Sequence, residues 1–281
     1  MRGRALPYLL VAPAVIFLTV LFFVPLVQTI ALAFQTTNGT GLDNFARMAD
    51  DLNFHDAVVN TFRFVGLAVP LQLAAAMGMA MMLRHLGRGR DTVLWIWTIP
   101  LGLSDLAAGL IWLAMLNDRG YLASLLFHLG LVSEPQSWLT YESPMALFIA
   151  VVIAEFWRAT AIVVVILVAG LQLVPKEYAE AASVFGASPW RIFTRITLPL
   201  MKPSIQSALI LRTVLAFEAF AVVIAIGGRN FPVLVSEAYN WQNFNQEPAV
   251  AAAYAVVVMV LSLVATVVWL RVLRTPEEQR A

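Results

Sequence analysis

One run of the chain, AVAAAYAVVVMVLSLVATVVWL at residues 249–270, has no charged side chain over 22 positions. A helix needs roughly 20 predominantly apolar residues to cross the hydrocarbon core of a bilayer, which is about 30 Å thick. Five further stretches meet this requirement, at about residues 6–34, 58–83, 92–116, 145–171 and 203–226. The sequence therefore predicts an all-α polytopic membrane protein with six transmembrane helices.

The composition supports this class and excludes several others. Hydrophobic residues make up 60% of the chain and charged residues 12%, whereas about 25% of the residues of a soluble domain are charged. The absence of cysteine excludes thiol catalysis, cysteine-ligated zinc and disulfides. His55, His85 and His128 are too far apart in sequence to suggest a metal site, and the net charge of +1 gives no indication of a nucleic-acid partner.

No functional class other than a membrane component is indicated by motifs. No GxxxxGK[ST] pattern is present, so this chain is not expected to hydrolyse nucleotide itself. We predict one transmembrane domain over residues 1–281, with no catalytic residues, no metal and no cofactor of its own. Membrane lipid is an expected partner, and nucleic acid is not.

The distribution of lysine and arginine predicts the orientation. Cytoplasmic loops carry an excess of these residues. If both termini are cytoplasmic, the outside loops hold only Arg47, Arg119 and Arg229, and the inside segments hold 12 basic residues. The twelve are Arg2, Arg4, Arg84, Arg88, Arg90, Lys176, Arg191, Arg195, Lys202, Arg271, Arg274 and Arg280. We therefore expect cytoplasmic N and C termini.

Two segments at the membrane surface have further interpretations. The first stretch, preceded by Arg2 and Arg4, has an alternative as a signal peptide, but it is too long for a signal h-region and no small-residue cleavage site follows. Residues 117–144 contain GYLASLLFHLGLV, whose apolar spacing indicates a helix in or near the membrane interface.

The predicted cytoplasmic connection at residues 175–203, PKEYAEAASVFGASPWRIFTRITLPLMKP, is longer than a turn requires. Tyr178, Ala181, Ala182 and Phe185 fall at i, i+3, i+4 and i+7, which indicates one stripe of a short helix that begins after Pro175. Small alanines allow another surface to come close. An amphipathic helix resting on lipid headgroups is an equally good interpretation of the same local pattern.

The second half of this connection predicts a bend and another helix. Gly186 is placed to end the first helix. Ser188 and Pro189 are typical of a second helix start, the serine as N-cap and the proline at the first helical position. This second helix is expected to cover residues 190–196 and to end at Pro199 and Pro203.

The chain places few charges inside its predicted spans. Glu155 and Arg158 are three residues apart and so lie on one helix face, while Arg212 and Glu218 are six apart and Asp105 follows a Pro100-Leu101-Gly102 break. Such charges are costly unless they are paired or hydrated. They are either buried ion pairs that fix helix packing or groups that line a solute cavity, with Trp157, Phe217 and Phe220 as candidate apolar rings.

The connection also resembles a known family. Its residues match the EAA signature of binding-protein-dependent ABC importer permeases at Glu180, Ala181, Ala182, Gly186, Ile196, Leu198, Pro199 and Pro203. We call residues 175–203 the EAA loop. In that family the loop is a coupling helix that docks in a cleft of the cytoplasmic ATPase. The resemblance implies that the ATPase-coupling residues are Glu177, Tyr178, Glu180, Ala181, Ala182, Phe185 and Gly186, although Phe185 stands where the family usually has Asp.

The opening PYLLVAPAVIFLTVLFFVPL is similar to that of the carbohydrate branch, which includes the maltose and glycerol-3-phosphate permeases. The resemblance implies a type I importer permease fold, a prokaryotic inner-membrane location and a second permease subunit, with a heterodimer favoured. It also implies an extracytoplasmic solute-binding protein, which the 227–248 loop would help to receive, and two ATPase subunits that bind ATP and Mg²⁺.

Sugar contacts in the maltose-type permease come from the helices that flank the EAA loop. Counted from the shared glutamate, these positions fall here on Glu155, Arg158, Ala159, Ile162, Arg212, Leu215, Ala216 and Ala219. Charged groups replace the amide and aromatic groups of the maltose case, so maltose is not the expected solute. Two arginines match a phosphate or sulfonate, unless the nearby glutamates neutralise them.

The sequence thus predicts the permease subunit of an ATP-driven importer for a sugar or a sugar-like polar solute. The alternatives are a secondary transporter driven by an ion gradient and a membrane-embedded enzyme. A secondary transporter is expected to show inverted repeats or broken helices with paired acids. An enzyme needs a catalytic constellation, and the sequence has no His or Cys cluster in its spans.

Overall fold

A computed structural model describes residues 6–36, 39–131, 139–140 and 142–274 of the chain. Nearly all of the described residues are helical, and one short antiparallel ribbon pairs β1 (Gln35–Thr36) with β2 (Gly39–Thr40). The predicted all-α polytopic architecture is confirmed. Three of the basic residues from which the orientation is predicted, Arg2, Arg4 and Arg280, lie outside the described residues.

Four helical stretches are long and apolar enough to cross a membrane: Tyr8–Ala33, Phe54–His85, Pro144–Gln172 and Pro248–Val272. The first consists of α1 (Leu6–Leu18), a π-helical turn (Thr19–Phe23) and α2 (Val24–Ala33); the next three are α4, α8 and α15. Their positions match the first, second, fourth and sixth predicted spans. No residue in the most apolar window of the first stretch is buried.

The third and fifth predicted spans are bent instead of straight. A turn of 98° separates Arg90–Gly102 from Asp105–His128, and a bend of 46° separates Lys202–Phe217 from Ala221–Gly227. These segments are built from α5 (Arg90–Thr98), a 3-10 turn (Ile99–Gly102), α6 (Asp105–Leu116), α7 (Tyr121–His128), α12 (Lys202–Phe217) and α13 (Ala221–Gly227). If each bent pair counts as one span, the predicted total of six is reached.

The first bend has a local cause. Pro100 lacks the N–H of a regular helix, and the chain leaves helical geometry after Gly102. Ser104 then begins α6 as its N-cap, because its hydroxyl accepts a hydrogen bond from the backbone N–H of Ala107 at 3.2 Å. The second bend falls at residues 218–220, where no proline or glycine is present, and local sequence does not explain it.

The chain forms two compact units. The first contains residues up to His55 together with Leu234–Val260. It includes α3 (Asp43–Ala49) and α14 (Leu234–Asn243). Asn44 holds the end of α2 to the ribbon, since its side-chain amide donates to the carbonyls of Ala33 at 3.1 Å and Gln35 at 2.7 Å.

The second unit contains Asp56–Val233 and the residues after Val260. Its core is the largely buried helix α8, which packs against α6, α12 and α13. Close approach requires glycine at Gly170, where a Cβ atom would lie 2.4 Å from the Cβ of Ser204. A helix is present between the third and fourth predicted spans as α7, and its location at the membrane interface stays a prediction; part of the connection that follows it lies outside the described residues.

Candidate functional site

The EAA loop folds as two short helices joined by a sharp turn. Helix α9 (Lys176–Val184) ends where Gly186 adopts a positive φ of 77°, a conformation that favours glycine. The Gly186 N–H donates to the carbonyl of Ser183 and the Ala187 N–H to that of Ala182, both at 3.0 Å. These two bonds form a Schellman cap, so the helix end predicted at Gly186 is confirmed.

The second helix begins as predicted at Ser188, whose hydroxyl accepts from the backbone N–H of Arg191 at 3.4 Å. Helix α10 (Pro189–Ile192) continues through a π-helical turn (Phe193–Thr197) into α11 (Leu198–Leu200). Pro199 and Pro203 lie in the first turns of α11 and α12, where their missing N–H groups cost little. The interruption therefore falls at Met201, between the two prolines.

The EAA loop presents large apolar side chains to its surroundings. Tyr178 is 55% exposed, Trp190 72%, Val184 84% and Phe185 91%. The sequence-predicted coupling residues are all exposed except for Ala182, which is half-buried; the exposed ones are Glu177, Tyr178, Glu180, Ala181, Phe185 and Gly186. Clustered apolar exposure of this kind marks an interaction surface.

A second set of charged residues is buried among the helices of the second unit. The Arg212 guanidinium on α12 donates to a Glu155 carboxylate oxygen on α8 at 2.7 Å and to the Gln72 amide oxygen on α4 at 2.5 Å. Gln72 in turn donates to the backbone carbonyl of Glu155 at 3.1 Å. These three side chains are at most 2% exposed.

This network continues towards the surface through Arg158. Arg158 lies 3.0 Å from the Glu155 carboxylate and 2.9 Å from the carboxylate of Asp105 on α6. The Arg158 side chain is 17% exposed and that of Asp105 50%. We call Gln72, Asp105, Glu155, Arg158 and Arg212 the polar cluster. It contains two acids and two bases, so its formal net charge is zero. Four helices, α4, α6, α8 and α12, meet around it.

The ion pairs in the structure differ in part from those that residue spacing within a single helix predicts. Glu155 and Arg158 do share one face of α8, as their spacing predicts. Arg212 pairs with Glu155 and not with Glu218, which is exposed beyond the end of α12. Gln72 was not among the predicted residues; its only signal is a single amide inside an apolar run.

The remaining predicted pathway residues carry no polar side chain. Ala159, Ala216 and Ala219 are buried, Ile162 is partly buried and Leu215 is exposed. These positions can set the shape of a pathway but cannot hydrogen-bond a hydroxyl group. Among the candidate rings, Phe217 is buried edge-on against Phe62.

The first unit holds another polar group, within the predicted extracytoplasmic part of the chain. Asp51 accepts from the Trp241 indole N–H at 2.6 Å and from the Tyr254 hydroxyl at 2.9 Å. Arg47 forms a two-bond fork with Glu247, at 2.7 and 3.0 Å. Asp51, which lies between α3 and α4, thereby holds α14 and α15, and Arg47 of α3 holds the residue that precedes α15; α14 forms the middle of the predicted receiving loop.

The Arg47–Glu247 fork lies outside the membrane-spanning helices and is partly exposed. The hydrogen bonds from Arg47 hold the pKa of the Glu247 carboxyl below its ordinary value of 4.5. The same bonds raise the pKa of the Arg47 guanidinium. The pair therefore remains ionised in mild acid.

No cluster of histidine, cysteine, aspartate or glutamate within the described ranges has the arrangement of a metal site.

Comparison with known proteins shows which family of proteins this chain belongs to. A family model described as the binding-protein-dependent transport system inner membrane component matches residues 3–273. The chain therefore belongs to this family of importer permeases. The predicted resemblance to permeases that work with a binding protein is confirmed.

Several relatives extend over nearly the whole chain. The sulfoquinovosyl glycerol transport system permease protein SmoG of Agrobacterium fabrum is 33% identical over 98% of this chain and 92% of its own length. The trehalose/maltose transport system permease protein MalF of Thermococcus litoralis is 29% identical, covering 96% and 94%. The sn-glycerol-3-phosphate transport system permease protein UgpA of Agrobacterium fabrum is 30% identical, covering 94% and 93%.

Solved structures confirm the fold. A chain of a bacterial ABC transporter involved in the import of the acidic polysaccharide alginate superposes with a TM-score of 0.83 at 21% identity, covering 97% of this chain and 96% of its own. The same kind of transporter, in complex with a periplasmic protein bound to an alginate pentasaccharide, gives 0.81 over 97% and 95%. The all-α type I importer permease fold is therefore the fold of this chain.

Proposed function

We propose that this chain is the membrane subunit of an ATP-driven importer for a sugar or sugar-like polar solute. The single observation that carries the proposal is the exposed and capped helix α9 in a chain that matches the permease family over residues 3–273. A permease without a nucleotide-binding motif needs a separate motor, and α9 is the part of the chain built to contact one.

The solute class is supported by what the relatives transport. The names of the relatives reported above specify sulfoquinovosyl glycerol, trehalose or maltose, and sn-glycerol-3-phosphate, which are polar molecules with hydroxyl groups. The polar cluster carries no net charge, and its Arg158–Asp105 end is accessible. If the cluster contacts solute, we assign that contact to Arg158 and Asp105. We assign to Gln72, Glu155 and Arg212 the role of holding the helices together.

The partners follow from the same proposal. An extracytoplasmic binding protein delivers the solute to the outer side, a second permease subunit completes the pathway, and two ATPase subunits bind ATP and Mg²⁺. ATP-driven closure of the ATPases moves α9, and the spans change between inward-open and outward-open arrangements. Support for a binding protein comes from the family description and from the alginate transporter complex.

A charge reversal at Glu180 tests the coupling role. Glu180 is an exposed acid of α9 and is available to a basic residue of a docked ATPase. In the assembled complex, reconstituted in liposomes with the binding protein and ATP, Glu180→Lys is expected to abolish uptake and solute-stimulated ATP hydrolysis. The subunit should still insert in the membrane at the wild-type level.

Asp91→Lys provides the matched control, because Asp91 is an exposed acid on the same predicted side of the membrane but outside the EAA loop. Wild-type uptake by the Glu180→Lys complex would contradict docking through α9. The bent helices are a feature expected of secondary transporters, so the chain alone is also assayed with ion gradients. Uptake without any other protein would overturn the importer proposal in favour of that alternative.

A further inference from the structure

A cavity of about 470 Å³ lies at the start of the EAA loop. It is an open cavity lined by the end of α4, the start of α5, the end of α8 and the first turn of α9. Its volume falls within the range of small-molecule binding sites, roughly 300–1,000 Å³. We call it the basic cavity, because Arg84, Arg90 and Lys176 line it and Glu177 is the only acid in its lining.

Among the described residues, none pairs through its side chain with the three cations of the basic cavity. In the part of the chain that the structure describes, no side-chain hydrogen bond or ion pair involves Arg84, Arg90 or Lys176. The Arg90 Nε atom is buried and has no hydrogen-bond acceptor. A buried donor without an acceptor is costly, so an acceptor from outside the chain is expected at this point.

Helix stabilisation explains only one of these cations. Arg84 is in the last turn of α4, where the helix dipole favours positive charge. Arg90 and Lys176 are the first residues of α5 and α9, where the dipole disfavours positive charge. A bound anion reverses that penalty, because both the side chains and the helix starts then face negative charge.

Most of the other lining residues are apolar, although Gln172 is polar. Leu83 on α4 and Val168 and Leu171 on α8 are buried and line the same cavity. The cavity therefore combines a partly apolar wall with basic groups at the end of α4 and at the starts of α5 and α9. This combination matches a ligand with a phosphate group joined to an apolar portion, since guanidinium groups bind phosphate oxygens in pairs.

We propose that the basic cavity binds the phosphate group of an anionic ligand through Arg84, Arg90 and Lys176. The same chemistry can come from the headgroup of an anionic phospholipid in the cytoplasmic leaflet or from a soluble phosphate compound. Because Lys176 begins α9, the bound phosphate fixes the start of the helix that carries the coupling residues.

Lipid titration tests this site. The full-length chain in detergent micelles is titrated with phosphatidylglycerol or phosphatidylcholine, and bound lipid is counted by native mass spectrometry. In a parallel arm, inorganic phosphate is titrated by calorimetry. We expect Arg84→Gln/Arg90→Gln/Lys176→Gln to bind phosphatidylglycerol at least roughly tenfold more weakly than wild type, since each basic group near an anionic lipid contributes to its binding.

The matched control removes three other exposed cations from the same predicted side, as Arg88→Gln/Arg195→Gln/Arg271→Gln. This control should bind phosphatidylglycerol like wild type, which separates the cavity from general attraction to basic loops. Equal binding by the wild type and the cavity variant, or equal losses in the cavity variant and the control, would overturn the proposal.

The two ligand sources give different patterns. Phosphatidylglycerol binding that phosphatidylcholine does not reproduce identifies the lipid headgroup. Calorimetric binding of phosphate without lipid selectivity, lost in the cavity variant, identifies a soluble phosphate compound. If the triple variant does not fold, Arg90→Gln alone is used, with a thermal melt as the folding check, and unchanged binding in that variant contradicts the site.

Discussion

At the scale of single residues, the polar cluster is where we expect a substitution to change the free energy of unfolding most. Arg212 and Glu155 are almost fully buried and only 2.7 Å apart. Each charge is tolerated because the other is present, and Gln72 and Arg158 occupy further hydrogen-bonding positions. A buried ion pair contributes little net stability compared with apolar groups, but removal of one partner is strongly destabilising.

Arg212→Met is therefore expected to lower the free energy of unfolding by about 3–5 kcal/mol, because it leaves the Glu155 carboxylate with fewer compensating charges. Arg158→Met should cost less, since Glu155 keeps Arg212 and Asp105 is half exposed. Thermal unfolding of the purified chain in detergent measures both. Arg63→Met removes an exposed arginine of α4 and is the control.

The double variant Glu155→Gln/Arg212→Met removes both buried charges and should recover most of the lost stability. If Arg212→Met melts at the wild-type temperature, Glu155 is not dependent on Arg212 and the helix-holding role is wrong.

Acid should weaken the Arg47–Glu247 fork. Since the pKa of Glu247 is below 4.5 in the folded chain, the fork stabilises the chain above about that pH, and the contribution is lost as pH falls through the lowered pKa. Glu247→Gln should reduce the drop in melting temperature between neutral and strongly acidic buffer. Asp50→Asn changes an exposed acid that has no ion pair within the described ranges, and it should leave that drop unchanged.

The pairings in the polar cluster show what sequence can predict at this scale. Glu155 and Arg158 are three residues apart on one helix, so their contact follows from helical geometry alone. Gln72, Glu155 and Arg212 lie on three different helices. Their contact depends on how those helices pack, which residue spacing within one helix does not encode.

At the scale of elements, the contact between α8 and α12 depends on a missing side chain. Gly170 lies so close to Ser204 that an added Cβ would fall 2.4 Å from the serine Cβ, an atom fixed by its backbone. Small residues at such points let membrane helices approach each other closely.

Gly170→Ala should force these helices apart and lower the melting temperature, although alanine is the better helix former. Gly78→Ala is the control, because Gly78 is also inside a long helix but has open space where a Cβ would be added. Equal or higher stability of Gly170→Ala would show that this contact is not tightly packed. Melting of the purified chain in detergent decides the matter.

The elements themselves were largely predictable, and their bends were not. Hydrophobic length located the four long helices and the two bent helix pairs, because the bilayer imposes a minimum length on each span. The Pro100-Leu101-Gly102 sequence indicated a break, but not its angle of 98°. The bend after α12 has no proline or glycine at residues 218–220, so it reflects packing of α13 in the unit and not a local signal.

At the scale of the whole molecule, the absence of cysteine makes the predicted orientation directly testable. Ser183→Cys in α9 and Gln242→Cys in α14 each introduce a unique thiol at an exposed position. In intact cells, a membrane-impermeant maleimide should label Gln242→Cys, and it should label Ser183→Cys only after the membrane is opened.

The cysteine-free parent chain gives the background in that experiment. Labelling of Ser183→Cys in intact cells would place the EAA loop outside, and it would remove the basis for docking to an ATPase. The prediction depends on the excess of 12 basic residues over three, a property of the chain as a whole that no single loop determines.

The exposed apolar side chains of the EAA loop, which we call its apolar tip, also have a consequence for the cell that makes this protein. The side chains of Phe185 and Trp190 are largely exposed on a loop that we predict to be cytoplasmic. A subunit synthesised ahead of its partners would offer that tip to chaperones and to quality-control proteases. Balanced production of all subunits is therefore expected to determine how much of this chain survives, independently of how stably its spans pack.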